Sequence, residues 1–477
     1  MLLKPLTIIL ALLLLQNPVG AEEDPVRMNA EKRYEEFEVN DWFEEEAVKA
    51  KLKPLFDIIE QEELLDDNSQ FYYAVDLYDA GEKENAFYFM YRLAQLGYSV
   101  PQFYIAYMYS AGEVVEQDYE EAVFWYLLSS MNGEVDAQLN LAYLFYYGEG
   151  VQADYEEAIY WFSQAAFNGD PDAQFELGYI YDIGQVVEED NFKAIELYKM
   201  AARADHMAAT YYLGLSYRDG DGVEKNLQTA YDHFKKAAEL GHPTAMNEVG
   251  YSYLNGIGVN KNPQKAFEWF IKAKEQDEIN AYFNLGLMYS KGIGVEKDYK
   301  KALDHYMVAA KANDAESLFY VGYYYEKGMG TGRNIRKAVY WYERAISHNS
   351  FAAMNNLATI HYNFNGRWKN KKKAQELWQQ AAEQGYVLAQ FNLGALYETG
   401  EPGVKNEQKA FEWYLKAAQQ NDGESQYKVA QMFFEGVGTE RNTEQYRYWL
   451  QQAADNNYQK AIDDLQALNQ KTSLGGK

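Results

Sequence analysis

Groups able to take a proton, attack a carbon or hold a metal are sparse in this sequence and poorly spaced for any of those tasks. Cysteine is absent from all 477 residues, which removes thiol catalysis, disulfides and thiolate-bound metal together. The six histidines (206, 233, 242, 305, 348 and 361) lack the helical spacing of a metal pair, and no HExxH segment occurs. Each is expected to pack or to face solvent rather than to ligate. Ser425 and Lys428 have the Ser-x-x-Lys spacing of an acylating serine, yet no Ser-Asp-Asn or Lys-Thr-Gly segment accompanies them, so the match reads as chance. Glycine-rich stretches such as Gly328, Gly330 and Gly332 lead into Asp or Asn with no Walker lysine pattern and no preceding strand, and they read as turns rather than phosphate cradles. No catalytic residue, cofactor or metal is implied. What the chain has in excess is tyrosine, 44 copies within an aromatic content of 16%. Its chemistry is contact: a rigid amphipathic ring that loses little entropy on binding.

Those rings are positioned by a repeat. Residues 280–315 form a 36-residue unit that recurs ten times without insertion, and stepping by 36 from Ala281 meets a small or ring-constrained residue from Pro101 to Ala461 every time. A fixed period of this length is the signature of a solenoid, in which each unit is one supersecondary element that buries its apolar face only against its neighbours. Two amphipathic helices, A and B, are expected in each unit. Helix B starts at an invariable Asp or Asn (118, 154, 190, 226, 262, 298, 334, 370, 406, 442), because a short side-chain oxygen must accept an otherwise orphaned N–H. It stops at Gly, Asp or Asn (133, 169, 205, 241, 277, 313, 349, 385, 421, 457), residues that tolerate a left-handed backbone. Helix A carries Gly or Ala at one site, from Ala106 to Ala430, with an aromatic three residues later in nine units and His361 in the other.

On a helical wheel the residue after that Gly or Ala points away from the apolar face. It is Tyr107, Tyr143, Tyr179, Tyr251 and Tyr323 in five units, and three residues earlier come Tyr104, Tyr212 and Tyr320. Two readings stand for these eight rings. They line a groove that takes a protein partner or a polysaccharide, or they stack one repeat on the next. The eighth unit departs from the pattern with a basic loop, Arg367, Trp368, Lys369, Lys371, Lys372 and Lys373, conspicuous on so acidic a chain as a contact for an acidic partner and equally readable as a solvated loop.

The segments GIGVEKDYKKALDHYMVAAKAND, GEGVQADYEEAIYWFSQAAFNGD and GVGTERNTEQYRYWLQQAADNN, each preceded by a Leu/Val, Gly/Ala, x, x, Tyr/Phe stretch, resemble Sel1-like repeats, relatives of the tetratricopeptide repeat. The resemblance covers residues 70–468. It implies an all-α, right-handed solenoid of paired antiparallel helices whose A helices line a concave groove. It also implies a non-enzymatic scaffold or adaptor, for exported bacterial proteins commonly one acting at the envelope or host, and for eukaryotic ones one acting in quality control of the endoplasmic reticulum.

The ends complete the reading. Residues 1–21 are expected to be a signal peptide, with Lys4 as its charged start, an apolar run over 6–15 and the small residues Val19, Gly20 and Ala21 before the cleavage point. An acidic arm and helical cap follow over 22–69, then a shortened first repeat over 70–99, ten full repeats over 100–459, and a capping helix with a tail over 460–477. No other stretch is long and apolar enough to span a membrane, so an exported protein, periplasmic or secreted and bacterial, is expected. The net charge of −28 disfavours nucleic acid and anionic lipid as partners.

Overall fold

A computed structural model describes residues 66–363, 368–400 and 404–474, with side chains as far as 468. The expected signal peptide, nearly all of the acidic arm and cap, and Arg367 of the basic loop lie outside the described residues. Among them are 23 helices and no strand, and 22 of the helices are 13 residues long. The chain divides between Lys261 and Asn262 into two compact units. In each, a helix packs chiefly against the helices before and after it, the contact pattern of a solenoid.

The caps explain the uniform helix length. All ten Asp and Asn residues named above have extended or near-extended backbones and accept backbone N–H bonds with their side chains, as Asp154 does from Glu156 and Glu157 at 3.0 and 3.1 Å. All ten stop residues have positive φ, from 57° at Asp277 to 108° at Gly241. A cap of this kind stabilises a helix by about 1 kcal/mol, so each unit specifies both ends of helix B locally. The chain's last helix, Gln459–Leu474, runs past Leu468, where the apolar pattern stops.

Glycine in helix A lets an aromatic ring of helix B lie directly on its backbone. A Cβ on Gly178 would stand 2.9 Å from the Tyr198 ring, and one on Gly322 would stand 2.7 Å from Tyr342. The turn glycines serve the next interface: a Cβ on Gly294 would meet the carbonyl oxygen of Pro263, at the start of helix B of the preceding repeat, at 2.7 Å. These glycines are packing residues, which accounts for the turns without any phosphate.

Within the first unit the core joins Trp125, Trp161, Tyr126, Phe145 and Phe162 to the alanines between them, and Tyr198 lies in a smaller cluster of its own. The core of the second unit runs from Ala302 to Ala461 and includes Tyr306, Tyr342, Trp378 and Tyr414. A buried glutamine ties neighbouring repeats together. Gln102, Gln138, Gln174, Gln390 and Gln426, near the start of helix A, each donate to a carbonyl near the end of the preceding helix B at 3.0–3.2 Å. Four of them also accept from an Asn or Gln 30 residues on, as Gln138 does from Asn168 at 3.0 Å.

Candidate interaction surface

The eight tyrosines of helix A separate into two groups. Tyr104, Tyr212 and Tyr320 face the preceding repeat. The Tyr104 ring lies 6.4 Å from Phe71 and 6.2 Å from Tyr78, and Tyr212 lies 5.5 Å from Phe175 and 5.6 Å from both Tyr179 and Tyr198. In the second unit Tyr320 stacks on Tyr306 at 4.9 Å with the planes 9° apart. Their contacts are those of packing between repeats.

Of the five tyrosines after the small site, two are open to solvent and three are half-buried. Tyr107 and Tyr251 are 39% and 45% exposed. Tyr143 is half-buried: it stands edge-on to Phe162 at 5.2 Å, stacks with Tyr147 at 6.2 Å and 9°, and donates its hydroxyl to Glu176 of the next repeat at 3.0 Å. Tyr179 lies between Phe175 and Tyr212, at 6.2 and 5.6 Å. Tyr323 in the second unit stacks with Phe319 at 6.2 Å and has the Lys327 ammonium 5.6 Å from its ring.

Two further rings belong with Tyr143 and were not singled out from sequence. Tyr147 is 66% exposed, and Tyr146 lies 5.2 Å from Tyr147 and 5.4 Å from Tyr155. The signal was the doubled tyrosine before Gly148, in the last turn of helix Val135–Tyr147, where the helix face turns toward the loop.

Carboxylates accompany the rings. Burial pushes the carboxyl of Glu176 up, against the opposing effect of the Tyr143 hydroxyl, and burial likewise raises Asp170 and Asp182. Asp182 accepts from Tyr198 at 3.1 Å, an arrangement repeated in the second unit by Glu326 with Tyr342 and Glu398 with Tyr414, both at 2.7 Å. These pairs join the two helices of a repeat and hold an acid at the last turn of helix A. In the first unit the face therefore mixes tyrosine with carboxylate.

Histidine packs, as expected, and also caps, which was not read from the sequence. His206 and His242 precede helix A and accept its N–H bonds through Nδ1 at 3.1 and 3.2 Å. His233 and His305 stack on Tyr217 and Tyr289 at 5.5 and 5.6 Å, and burial lowers both pKa values. Among the described residues no group of three or more His, Asp and Glu could hold a metal, and no helix is long and apolar enough to cross a membrane.

The expected basic loop is not all loop: Asn370 caps helix Lys371–Glu383, so Lys371, Lys372 and Lys373 form that helix's first turn, and Trp368 and Lys369 precede it. Trp368 packs against the core, and its carbonyl meets Nδ1 of His361 at 2.8 Å. Lys372 and Lys373 lie 4.0 and 3.6 Å from Glu376 and Glu343, and the Lys371 ammonium is 5.5 Å from the Tyr362 ring. Lys369 is exposed. Surface pairs of this kind contribute about 0–1 kcal/mol, so Lys369, Lys372 and Lys373 present their charge to solvent.

The Sel1 repeat profile matches ten consecutive segments, from 102–134 to 423–458. No curated protein matches the chain. Among solved structures the chain is similar to c5321, a protective antigen present in uropathogenic Escherichia coli strains and displaying the same repeat fold: 29% identity over 88% of this chain and 90% of that one, with a TM-score of 0.79. It is also similar to a Sel1 repeat protein from Oxalobacter formigenes, at 25% identity over 72% of this chain and 95% of that one, with a TM-score of 0.52. With ten matched repeats, each built as a capped pair of helices, and a paired-helix fold shared with these solved relatives, the chain belongs to the Sel1-repeat family.

Proposed function

We propose that this protein is a non-enzymatic, exported scaffold that binds a protein partner through the A-helix face of its first unit. The observation that carries the reading is the set of solvent-open tyrosines Tyr107, Tyr147 and Tyr251 on A helices of this unit, with the half-buried Tyr143 stacked on Tyr147 and bonded to Glu176. Exposed aromatic rings on a rigid scaffold are the usual anchors of a protein interface, and a buried-edge carboxylate adds a polar contact that selects a donor. The partner segment that complements this face is rich in Lys, Arg or hydroxyl donors. Tyr323 and the loop around Lys369 would serve a separate contact in the second unit.

Export rests on the N-terminal signal pattern. The description of c5321 as a protective antigen agrees with it, since an antigen that protects must be reachable by the immune system. Periplasmic and secreted fractions of the source cell, probed for the mature chain, test this directly, and recovery of an uncleaved chain in the cytoplasm would overturn it.

Binding is tested by capture from periplasmic and culture-supernatant extracts with the wild-type chain and with Tyr143→Ala, Tyr147→Ala and Tyr251→Ala combined. Loss of a specific protein from the variant's eluate is the expected result. Retained protein with lost polysaccharide would reassign the face to glycan binding, and unchanged retention of both would remove it as a binding surface.

A further inference from the structure

Four apolar side chains stand open to solvent in the first unit where the helices of two neighbouring repeats meet their turns. Tyr147 and Ile183 end helices Val135–Tyr147 and Pro171–Ile183, while Tyr155 and Phe192 lie in the first turns of helices Tyr155–Phe167 and Asn191–Arg203. Their exposures are 66%, 41%, 45% and 56% in that order. Tyr146 joins two of them, its ring 5.2 Å from Tyr147 and 5.4 Å from Tyr155. The repeat does not require apolar residues at the ends of this edge. Counting by 36, every counterpart of Tyr147 and Ile183 from Asp219 to Glu435 is polar, and the counterparts of Phe192 in the other nine repeats are Glu, Gln, Lys or Arg. Solubility favours polar residues at such sites, so apolar ones gathered there mark a contact surface.

The charge around these side chains has one sign. Between Arg92 and Lys193 the chain has 18 Asp or Glu and no Lys, Arg or His. Glu149, Asp154, Glu156, Glu188 and Glu189, all exposed, are interspersed with the four apolar residues along the edge. Lys193, the next cation along the chain, lies 3.6 Å from Asp190 and 4.8 Å from the Tyr181 ring. A segment settling on this edge therefore enters a negative potential. An acidic segment is repelled, a neutral one gains only apolar burial, and a basic one gains burial and charge attraction together. The aliphatic stems of Lys and Arg also cover aromatic rings while their charged ends stay in water. A second copy of this chain meeting the edge with its own would set like charge against like.

We propose that this edge is a docking surface for a basic segment of the protein partner in which Lys or Arg is interspersed with aliphatic side chains. The assignment rests on the protein-binding reading and extends it past the A-helix face. It also narrows the composition of the partner segment, because both the apolar side chains and the uncompensated acids must be met by the same stretch of chain.

The test is fluorescence anisotropy of short labelled peptides on the full chain: one of equal Lys and Leu, one with Ser in place of Leu, and one with Glu in place of Lys. The Lys/Leu peptide is expected to bind saturably and to weaken severalfold between about 0.05 and 0.3 M salt. It should bind about tenfold more tightly than the Lys/Ser peptide, the worth of burying one apolar side chain, and the Glu/Leu peptide should not bind. Tyr155→Ser, Ile183→Ser and Phe192→Ser combined should bring the Lys/Leu peptide down to the affinity of the Lys/Ser peptide. Tyr340→Ser, at an exposed ring of the second unit, should change nothing. Equal binding of the Lys/Leu and Lys/Ser peptides overturns the apolar contact, and equal binding of the Glu/Leu peptide overturns the selection for positive charge. No saturable binding to wild type, full affinity in the folded triple variant, or an equal loss from Tyr340→Ser overturns the site. If the triple variant fails to fold, Phe192→Ser alone decides, and unchanged affinity there overturns the site. Self-association of the wild-type chain that these variants abolish gives the edge to a second copy and overturns the proposal. None of the residues changed here is changed in the capture assay, so failure of the edge is separable from failure of the A-helix face.

Discussion

Tyr104 and Tyr107 stand three residues apart on one helix and have different surroundings. Tyr104 packs its ring against Phe71 and Tyr78 of the preceding helix A, whereas Tyr107 is left open to solvent. A helical wheel separates residues three apart by only about 60°, too little to say which of them the neighbouring helix covers. The tyrosine set was therefore legible in the sequence, but its division into packing and contact residues was not, because that division depends on the distance to another repeat. Exchange of each for alanine should reveal it. Tyr212→Ala, which removes a ring from among Phe175, Tyr179 and Tyr198, should lower stability to urea by about 2–3 kcal/mol, a large core truncation discounted for partial burial. Tyr107→Ala should stay within about 0.5 kcal/mol of wild type, as expected for a surface site. Equal losses at both positions would return the whole ladder to packing.

The helices themselves were the most readable level. A short polar residue at one end of helix B and a left-handed one at the other are local requirements, so the boundaries can be read with no knowledge of the tertiary structure. The glutamine tie is the opposite case. Gln138 and its counterparts look like ordinary polar residues in an amphipathic pattern, yet Gln138 is buried, donating to the Ser130 carbonyl at 3.2 Å and accepting from Asn168 at 3.0 Å. Its partners lie in the helices of two different repeats, and a single helix cannot announce that. Gln138→Leu, similar in size but unable to make either bond, should cost about 1–3 kcal/mol in urea unfolding, because the buried Ser130 carbonyl loses its donor and the Asn168 amide its acceptor. A variant as stable as wild type would show that apolar packing alone sets the spacing of repeats.

Across the whole molecule the sequence repeats without interruption through Lys261, and neither an insertion nor a shift of composition marks the division into two units there. Both units share one physical liability, which is buried phenol. Tyr126 in the first unit and Tyr324 in the second are almost fully buried, and loss of water around their hydroxyls pushes each pKa up to about 12. An unfolded tyrosine titrates near pH 10. Above that pH the unfolded chain releases protons that the folded chain retains, so the unfolded state binds fewer protons and stability falls as pH rises. Stability from these groups is thus fully present below about pH 10 and is lost through the window up to about 12. Other buried tyrosines, Tyr198, Tyr342 and Tyr414, are raised further by burial together with the carboxylates that accept their hydroxyl bonds, and they act in the same direction. The chain should consequently unfold cooperatively in alkali, with phenolate absorbance and loss of helical circular dichroism rising together above pH 10. If the buried tyrosines ionised near pH 10 while the helical signal stayed intact, their rings would be wet, and the packing role assigned to them would fail.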